Sequence, residues 1–218
     1  MSSYLRLRKV EFTGPDKSAT IEFSNGVNVI CGASDTGKSF LADTIDFMLG
    51  GSTLKEIPQR VGYGAIGLSL ETTDDEEWLL ERAISGGDFS ITQLNKGDSA
   101  EKVKLRQKHA HDRVDNLSGF LLEKIKLLGK RILKSSIKGT TVSLSFRNLA
   151  RLIIVQEGEI QQSGSPFWGG QYTLKTAELA TVKLLLTGVD DSAVVSPSST
   201  PEADGSKQIE LIDELLVD

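Results

Sequence analysis

Gly32-Ala33-Ser34-Asp35-Thr36-Gly37-Lys38-Ser39 fits the phosphate-binding pattern G-x-x-x-x-G-K-[ST] at every fixed position. The apolar run Val27-Asn28-Val29-Ile30-Cys31 precedes it and predicts a buried strand. After it, Leu41, Ile45 and Met48 recur at helical spacing until Gly50-Gly51 stops the helix. That context gives the pattern physical content. A tight glycine loop aims successive backbone N–H groups at phosphate oxygens, and the helix N-terminus behind it adds partial positive charge. Gly32 and Gly37 allow an approach that a Cβ would obstruct. Lys38 is the residue to reach the β- and γ-phosphates, and the Ser39 hydroxyl is the residue to ligate Mg²⁺. Asp35 sits where polyanionic phosphate would lie. Aspartate tolerates left-handed backbone, so it can replace a glycine there with its carboxylate turned outward. The expected nucleoside triphosphate site spans Gly32, Ala33, Ser34, Asp35, Thr36, Gly37, Lys38, Ser39 and Phe40.

With 218 residues and a net charge of -5, the chain suits one domain with a substantial core, or a domain with an appendage. No apolar run is long enough to span a bilayer, and Met1-Ser2-Ser3-Tyr4 lacks a secretory pattern, so a cytoplasmic protein with no membrane partner is expected. The lone cysteine, Cys31, excludes an internal disulfide and reads as a small core residue closing its strand. His109 and His111 lie in a polar stretch without cysteines at metal spacing and read as solvated.

Strands surround the phosphate loop in the N-terminal third. Leu5 and Leu7, then Val10 and Phe12, mark a first strand with a slip in its alternation. Gly14-Pro15-Asp16 turns the chain into a second strand at Thr20–Phe23, and Ser24-Asn25-Gly26 turns it again. Ala65 to Leu70, Trp78 to Ala83 and Phe89 to Leu94 predict an antiparallel meander with turns at 73–75 and 85–88. Small GTPases and nucleotide kinases instead alternate β and α units. Between about Ser99 and Gly139, Val114, Leu117, Leu121, Ile125, Leu128 and Ile132 follow helical spacing and predict an amphipathic helix of several turns. Lys102, Lys104, Arg106, Lys108, Lys124, Lys126, Lys130, Arg131, Lys134 and Lys138 gather around it. They form either a solvated face or a surface for a nucleic-acid backbone, and no aromatic residues interleave them as base stacking would need.

Leu152-Ile153-Ile154-Val155-Gln156-Glu157-Gly158-Glu159-Ile160 reads as an apolar strand ending in glutamine before a polar loop. With the phosphate loop and meander, it resembles the Q-loop of ABC-type ATPase heads. From roughly Tyr4 to Gly188 the chain resembles the N-terminal lobe of the SMC/RecF/RecN group of chromosome-maintenance and recombination-repair ATPases. The opening strand-turn-strand, followed by Phe23-Ser24-Asn25-Gly26-Val27-Asn28-Val29-Ile30, is how such heads begin. Ser34-Asp35 departs from the group's frequent asparagine-glycine, and an aspartate there is similar to the OLD nucleases. The resemblance implies an α/β P-loop fold with a mixed sheet and a helical insertion, ATP as the nucleotide, and Gln156 as a further Mg²⁺ ligand that senses the γ-phosphate. Glu157 is inserted before the Gly158-Glu159 pair that usually follows the glutamine directly.

Such a site also needs a signature motif, a Walker B aspartate with a catalytic glutamate, and a switch histidine, all after the Q-loop. Ile84-Ser85-Gly86-Gly87 and Leu117-Ser118-Gly119 imitate the signature but precede Gln156. Ile209-Glu210-Leu211-Ile212-Asp213-Glu214 imitates Walker B, yet Ile209, Ile212, Leu215 and Leu216 are spaced as an amphipathic helix. The expected organisation is a lobe over 1–190 with a helical, basic insertion at about 99–139, a flexible linker at 191–207, and a helix from 208 that could open a coiled-coil arm. A further helix is expected over 173–187, with Leu179, Val182, Leu185 and Leu186 facing inward and Gly188 as its stop. The implied partners are a C-terminal lobe, in the same or another chain, and a second head, with DNA a candidate. The implied activity is ATP hydrolysis that needs that completion. A nucleotide-sensing interaction module and a small P-loop phosphotransferase are the alternatives, the latter using Arg147 and Arg151.

Overall fold

A computed structural model describes residues 3–99, 101–155, 157–160, 164–165 and 167–194. The alternating segments form one sheet of β1 (Leu5–Thr13), β2 (Ser18–Glu22), β3 (Ala65–Thr72), β4 (Glu77–Ala83), β5 (Phe89–Gln93) and β6 (Lys102–Leu105). Its strand order is β2-β1-β3-β4-β5-β6 and every ladder is antiparallel. The slip in β1 is a register shift between Leu7 and Lys9 against β3, a bulge that moves Val10 into the core after Leu5 and Leu7. Asp75 at φ 56°, and Gly86 and Gly87 at 97° and 92°, make the expected turns of the meander. Edge strand β6 carries the exposed Lys102 and Lys104, which blunt pairing with another chain.

One face of the sheet is covered by α1 (Lys38–Met48), α2 (Leu117–Lys124) and α3 (Phe146–Ile153). Leu41, Phe47 and Met48 of α1, Leu121 and Leu122 of α2, and Leu149 of α3 join Val10, Ile66, Leu68, Leu80 and Ile91 in a single core. Trp78 meets Phe120 edge-on at 5.1 Å, fixing α2 over the meander. A two-stranded hairpin, β7 (Arg131–Ser135) with β8 (Thr140–Ser143), packs against α5 (Lys175–Thr187). A single helical turn, α4, spans Glu157–Ile160.

Several expectations are corrected. The run Val27–Cys31 is not a strand: Val27 is 90% and Val29 79% exposed, and Cys31 is exposed rather than a core residue. An apolar run becomes a strand only when a neighbour takes up its backbone hydrogen bonds, and none does so among the described residues. The expected mixed sheet is therefore an antiparallel one beside an unpaired phosphate-loop segment. Likewise, Leu152 and Ile153 end α3 instead of starting a strand, because the Ser145/Asn148 capping box launches a helix that runs on to Ile153.

Among the described residues of the expected helical insertion at 99–139, the α-helix is the short α2 alone, and β6 and β7 lie in the same stretch. The Asn116 side chain accepts from Gly119 N at 2.9 Å and starts α2 there, while Lys126 and Gly129, at φ 61° and 75°, break the helical path beyond it. Of the basic residues expected around it, three pair with local carboxylates: Lys102 with Glu81, Lys124 with Glu76, Arg106 with Asp115. His109 is half-buried rather than solvated, its Nε2 3.0 Å from Ser143 Oγ, and burial together with His111 holds its imidazole below the usual value.

Helix α5 ends at Gly188 as expected, with φ 69°, but faces the other way. Glu178, Ala180, Thr181 and Leu184 are buried, while Leu179, Leu185 and Leu186 are exposed. Polar anchoring decides this: Arg151 donates to Glu178 at 2.6 Å and Gly169 N donates at 3.0 Å, so the carboxylate turns inward. Asp191, placed in the linker by sequence, is buried, accepts from Leu133 N at 2.8 Å and Lys183 at 2.5 Å, and extends the folded unit past Gly188. The rest of the linker, 195–207, and the helix expected from 208 lie outside the described residues. Among the described residues no helix is long and apolar enough to cross a membrane.

Glu76 ties the β3–β4 turn to α2: it accepts from Lys124 Nζ at 2.8 Å and from Trp78 Nε1 at 3.0 Å. The hydrogen bond from Lys124 holds its carboxyl below the ordinary 4.5, against the opposing effect of burial. The folded state then binds fewer protons than the unfolded chain near that pH. This contribution is full above the unfolded value and is lost as pH falls through the folded one. Glu76→Gln is expected to cost about 0.5–1 kcal/mol at pH 7. Melting curves between pH 7 and pH 3 should show that penalty shrink toward zero in acid.

Candidate nucleotide site

The phosphate loop leads into the N-terminus of α1 and its residues are exposed. Asp35 has φ 60° and Gly37 has φ 87°, so two left-handed residues curl the loop back onto the helix. Asp35 thus adopts the backbone that a glycine would, as its residue type allows. Gly37 is also the N-cap of α1 and supplies no side chain, so no side-chain oxygen takes up the first N–H groups of the helix. At Gly32 a Cβ would lie 2.7 Å from Thr36 Oγ1, and Thr36 in turn donates to Ala33 O at 2.8 Å. A Cβ at 32 would therefore push the Thr36 hydroxyl off its bond to Ala33 O.

Lys38 Nζ lies across this closed loop. It donates to Gly32 O at 2.8 Å and to Ala33 O at 2.5 Å, with Thr36 Oγ1 at 3.2 Å. The ammonium is exposed and its partners are two backbone carbonyls and a hydroxyl, which an anionic ligand can replace. Ser39 and Phe40 follow in the first turn of α1, and Phe40 stacks on Phe12 at 5.9 Å.

Two arginines hold the other end of α1. Arg82, 2% exposed, lies over the rings of Phe47 and Phe89 at 3.9 and 4.4 Å. It donates to Phe47 O at 2.8 Å, Gly51 O at 2.7 Å and Gly87 O at 3.1 Å. Burial pulls its guanidinium down to about 10, so it remains cationic at neutral pH and complements the C-terminal carbonyls of α1. Arg147 of α3 forks onto Asp46 of α1 at 2.7 and 3.3 Å. The segment carrying the phosphate loop is thereby fastened to both the sheet and α3.

The loop from Ser34 to Ser39 lines an open cleft of about 950 Å³. Its other walls come from Phe12, Lys55, the turn at Pro58–Arg60, and Tyr63. Sequence reading missed these residues, since nothing local in 55–63 marks a ligand wall. The structure does not extend the site to the Q-loop, because Gln156 lies outside the described residues.

A glycine loop that feeds an uncapped helix packed on a sheet defines a P-loop nucleotide-binding domain of α/β type. The AAA domain family matches residues 7–183, most of the chain, and the chain belongs to that family, as the N-terminal region of an SMC/RecF/RecN-like ABC-type ATPase. The chain is also similar to DNA repair protein RecN of Synechocystis sp., with 38% identity over 66 residues. That match covers 29% of this chain and only 11% of the relative.

Proposed function

We propose that this chain is the ATP-binding half of an SMC-like ATPase head. In this reading Mg²⁺-ATP binds along Gly32–Phe40, Lys38 leaves its own loop carbonyls for the β- and γ-phosphates, and Ser39 ligates Mg²⁺. Gln156 would complete the metal shell. The general base and signature motif would come from a C-terminal lobe and a second head, so hydrolysis waits for both. The process served is DNA-related, a reading supported by the similarity to a DNA repair protein.

One observation carries the proposal. The segment that feeds the phosphate loop, Val27–Cys31, is apolar and pairs with no strand among the described residues, with Val27 and Val29 among the most exposed apolar residues. Ile153 and Val155, before Gln156, are 63% and 54% exposed. Leu186 of α5 is 82% exposed. Solvent is a poor environment for two apolar approaches to one active site, and strands from a second lobe would supply their missing hydrogen-bond partners. The basic residues of 102–131 support DNA contact less, being engaged in part by local carboxylates.

The test is Mg²⁺-dependent ATP binding and turnover by this chain alone and with a candidate C-terminal lobe. Binding alone, with turnover appearing only after the lobe is added, is the expected outcome. Sustained turnover by the isolated chain would overturn the half-head reading in favour of a self-contained NTPase.

A further inference from the structure

Two apolar stripes in the chain have no role in the nucleotide site. On α5, Leu179, Leu185 and Leu186 are exposed and Val182 between them is half-buried. Their spacing puts all four on one face of the helix, and that face is turned to solvent because Glu178 and Leu184 take the buried side. Ile209, Ile212, Leu215 and Leu216 recur at the same intervals. A segment as short as 208–218 does not hold a helix alone in water, so its stripe needs a receiving face.

Charge and reach agree with the apolar match. Glu178 is the sole carboxylate of α5 and is turned inward onto Arg151, whereas Lys183 is exposed beside Val182. The segment 208–218 carries Glu210, Asp213, Glu214 and Asp218 and no cation, so the two faces attract rather than repel. The chain is also delivered to the right place. Asp191 N donates to Arg131 O, and the Asp191 carboxylate accepts from Leu133 N and Lys183 Nζ, which pins the chain beside α5 just before Val194, the last described residue. A coil as long as 195–207 has a root-mean-square span of about 20 Å. The 13 residues of α5 extend over about the same distance.

We propose that the outer face of α5 is the docking surface for segment 208–218 of the same chain, which folds back on it as a helix. Ile209, Ile212, Leu215 and Leu216 then pack on Leu179, Val182, Leu185 and Leu186, and the two helices form an αα-hairpin closed by 188–207. The proposal is independent of the nucleotide reading. It covers Leu186 from within the chain and leaves Val27, Val29, Ile153 and Val155 open to a second lobe.

The experiment is amide hydrogen exchange read by mass spectrometry on the 218-residue chain, for the wild type, Leu186→Glu and Ile212→Glu, each at two protein concentrations. In the wild type the amides of 212–218 are expected to exchange at least about tenfold more slowly than in an unstructured peptide, equally at both concentrations. Each substitution is expected to remove that protection. Leu186 is exposed and Ile212→Glu leaves residues 1–194 unaltered, so exchange across β3 and β4 should stay as in the wild type, which reports that both variants have folded. Exchange of 212–218 at the unstructured rate in the wild type would overturn the proposal and return the face to a second lobe. Protection that falls on dilution would overturn it in favour of a second copy of the chain. Protection that survives both substitutions would overturn it by placing the segment on another surface.

Discussion

Lys38→Ala is expected to lower Mg²⁺-ATP affinity at least about thirtyfold, equivalent to about 2 kcal/mol or more, because it removes a cation that would donate charge-assisted hydrogen bonds to phosphate oxygens. The fold should be nearly indifferent. Lys38 is exposed, and its present acceptors, Gly32 O and Ala33 O, also lie in exposed residues open to water. A change in unfolding free energy within about 0.5 kcal/mol is therefore expected. Equilibrium titration with a fluorescent ATP analogue, paired with a thermal melt, separates the two effects. Unaltered affinity in the variant would remove Lys38, and with it the loop, from the site.

Arg82 should show the opposite pattern. Arg82→Met keeps an apolar stem over Phe47 and Phe89 but leaves Phe47 O and Gly51 O without their buried donor. Each lost bond from a charged donor is worth about 1.5–3 kcal/mol, so a loss of at least about 3 kcal/mol is expected. For a chain of this size that corresponds to a fall in Tm of about 6–12 °C. Nucleotide affinity of the folded fraction should change less than in Lys38→Ala, since Arg82 holds the far end of α1 rather than the loop. Calorimetric melts of the two variants side by side test the assignment, and a Tm unmoved by Arg82→Met would show that the guanidinium is dispensable to the packing of α1.

These two residues also mark the limits of reading the chain locally. The position of Lys38 was legible because the loop around it is marked by neighbours in sequence: Gly32, where a Cβ would lie 2.7 Å from Thr36 Oγ1, and Gly37, whose φ is 87°. The bulge in β1 was legible for the same reason, since a slip in alternation is itself a local signal. Arg82 gave no such signal. An arginine in the strand EWLLERA reads as solvent-facing by charge, and it is buried only because the carbonyls ending α1 arrive over it from far along the chain.

The errors have two physical origins, partners that sequence does not show and local breaks in backbone. Val27–Cys31 and Leu152–Val155 are apolar enough for strands, yet a strand exists only with a partner, and no described strand lies beside either. Leu179 and Leu186 are spaced for an inward stripe, yet Glu178 turns inward instead because Arg151 and Gly169 satisfy its carboxylate there. The helix predicted across 114–132 fails at Lys126 and Gly129, where left-handed backbone interrupts an otherwise regular apolar spacing.

The sequence by itself determined the phosphate loop, its helix, the antiparallel meander and their turns, because each depends on contacts within a few residues or on alternation along one segment. Tertiary structure decided which apolar runs are buried, which way α5 faces, and that Phe12, Tyr63 and the loop share one cleft. Those outcomes depend on hydrogen-bond and packing partners supplied by distant segments, and no local pattern encodes whether such a partner is there.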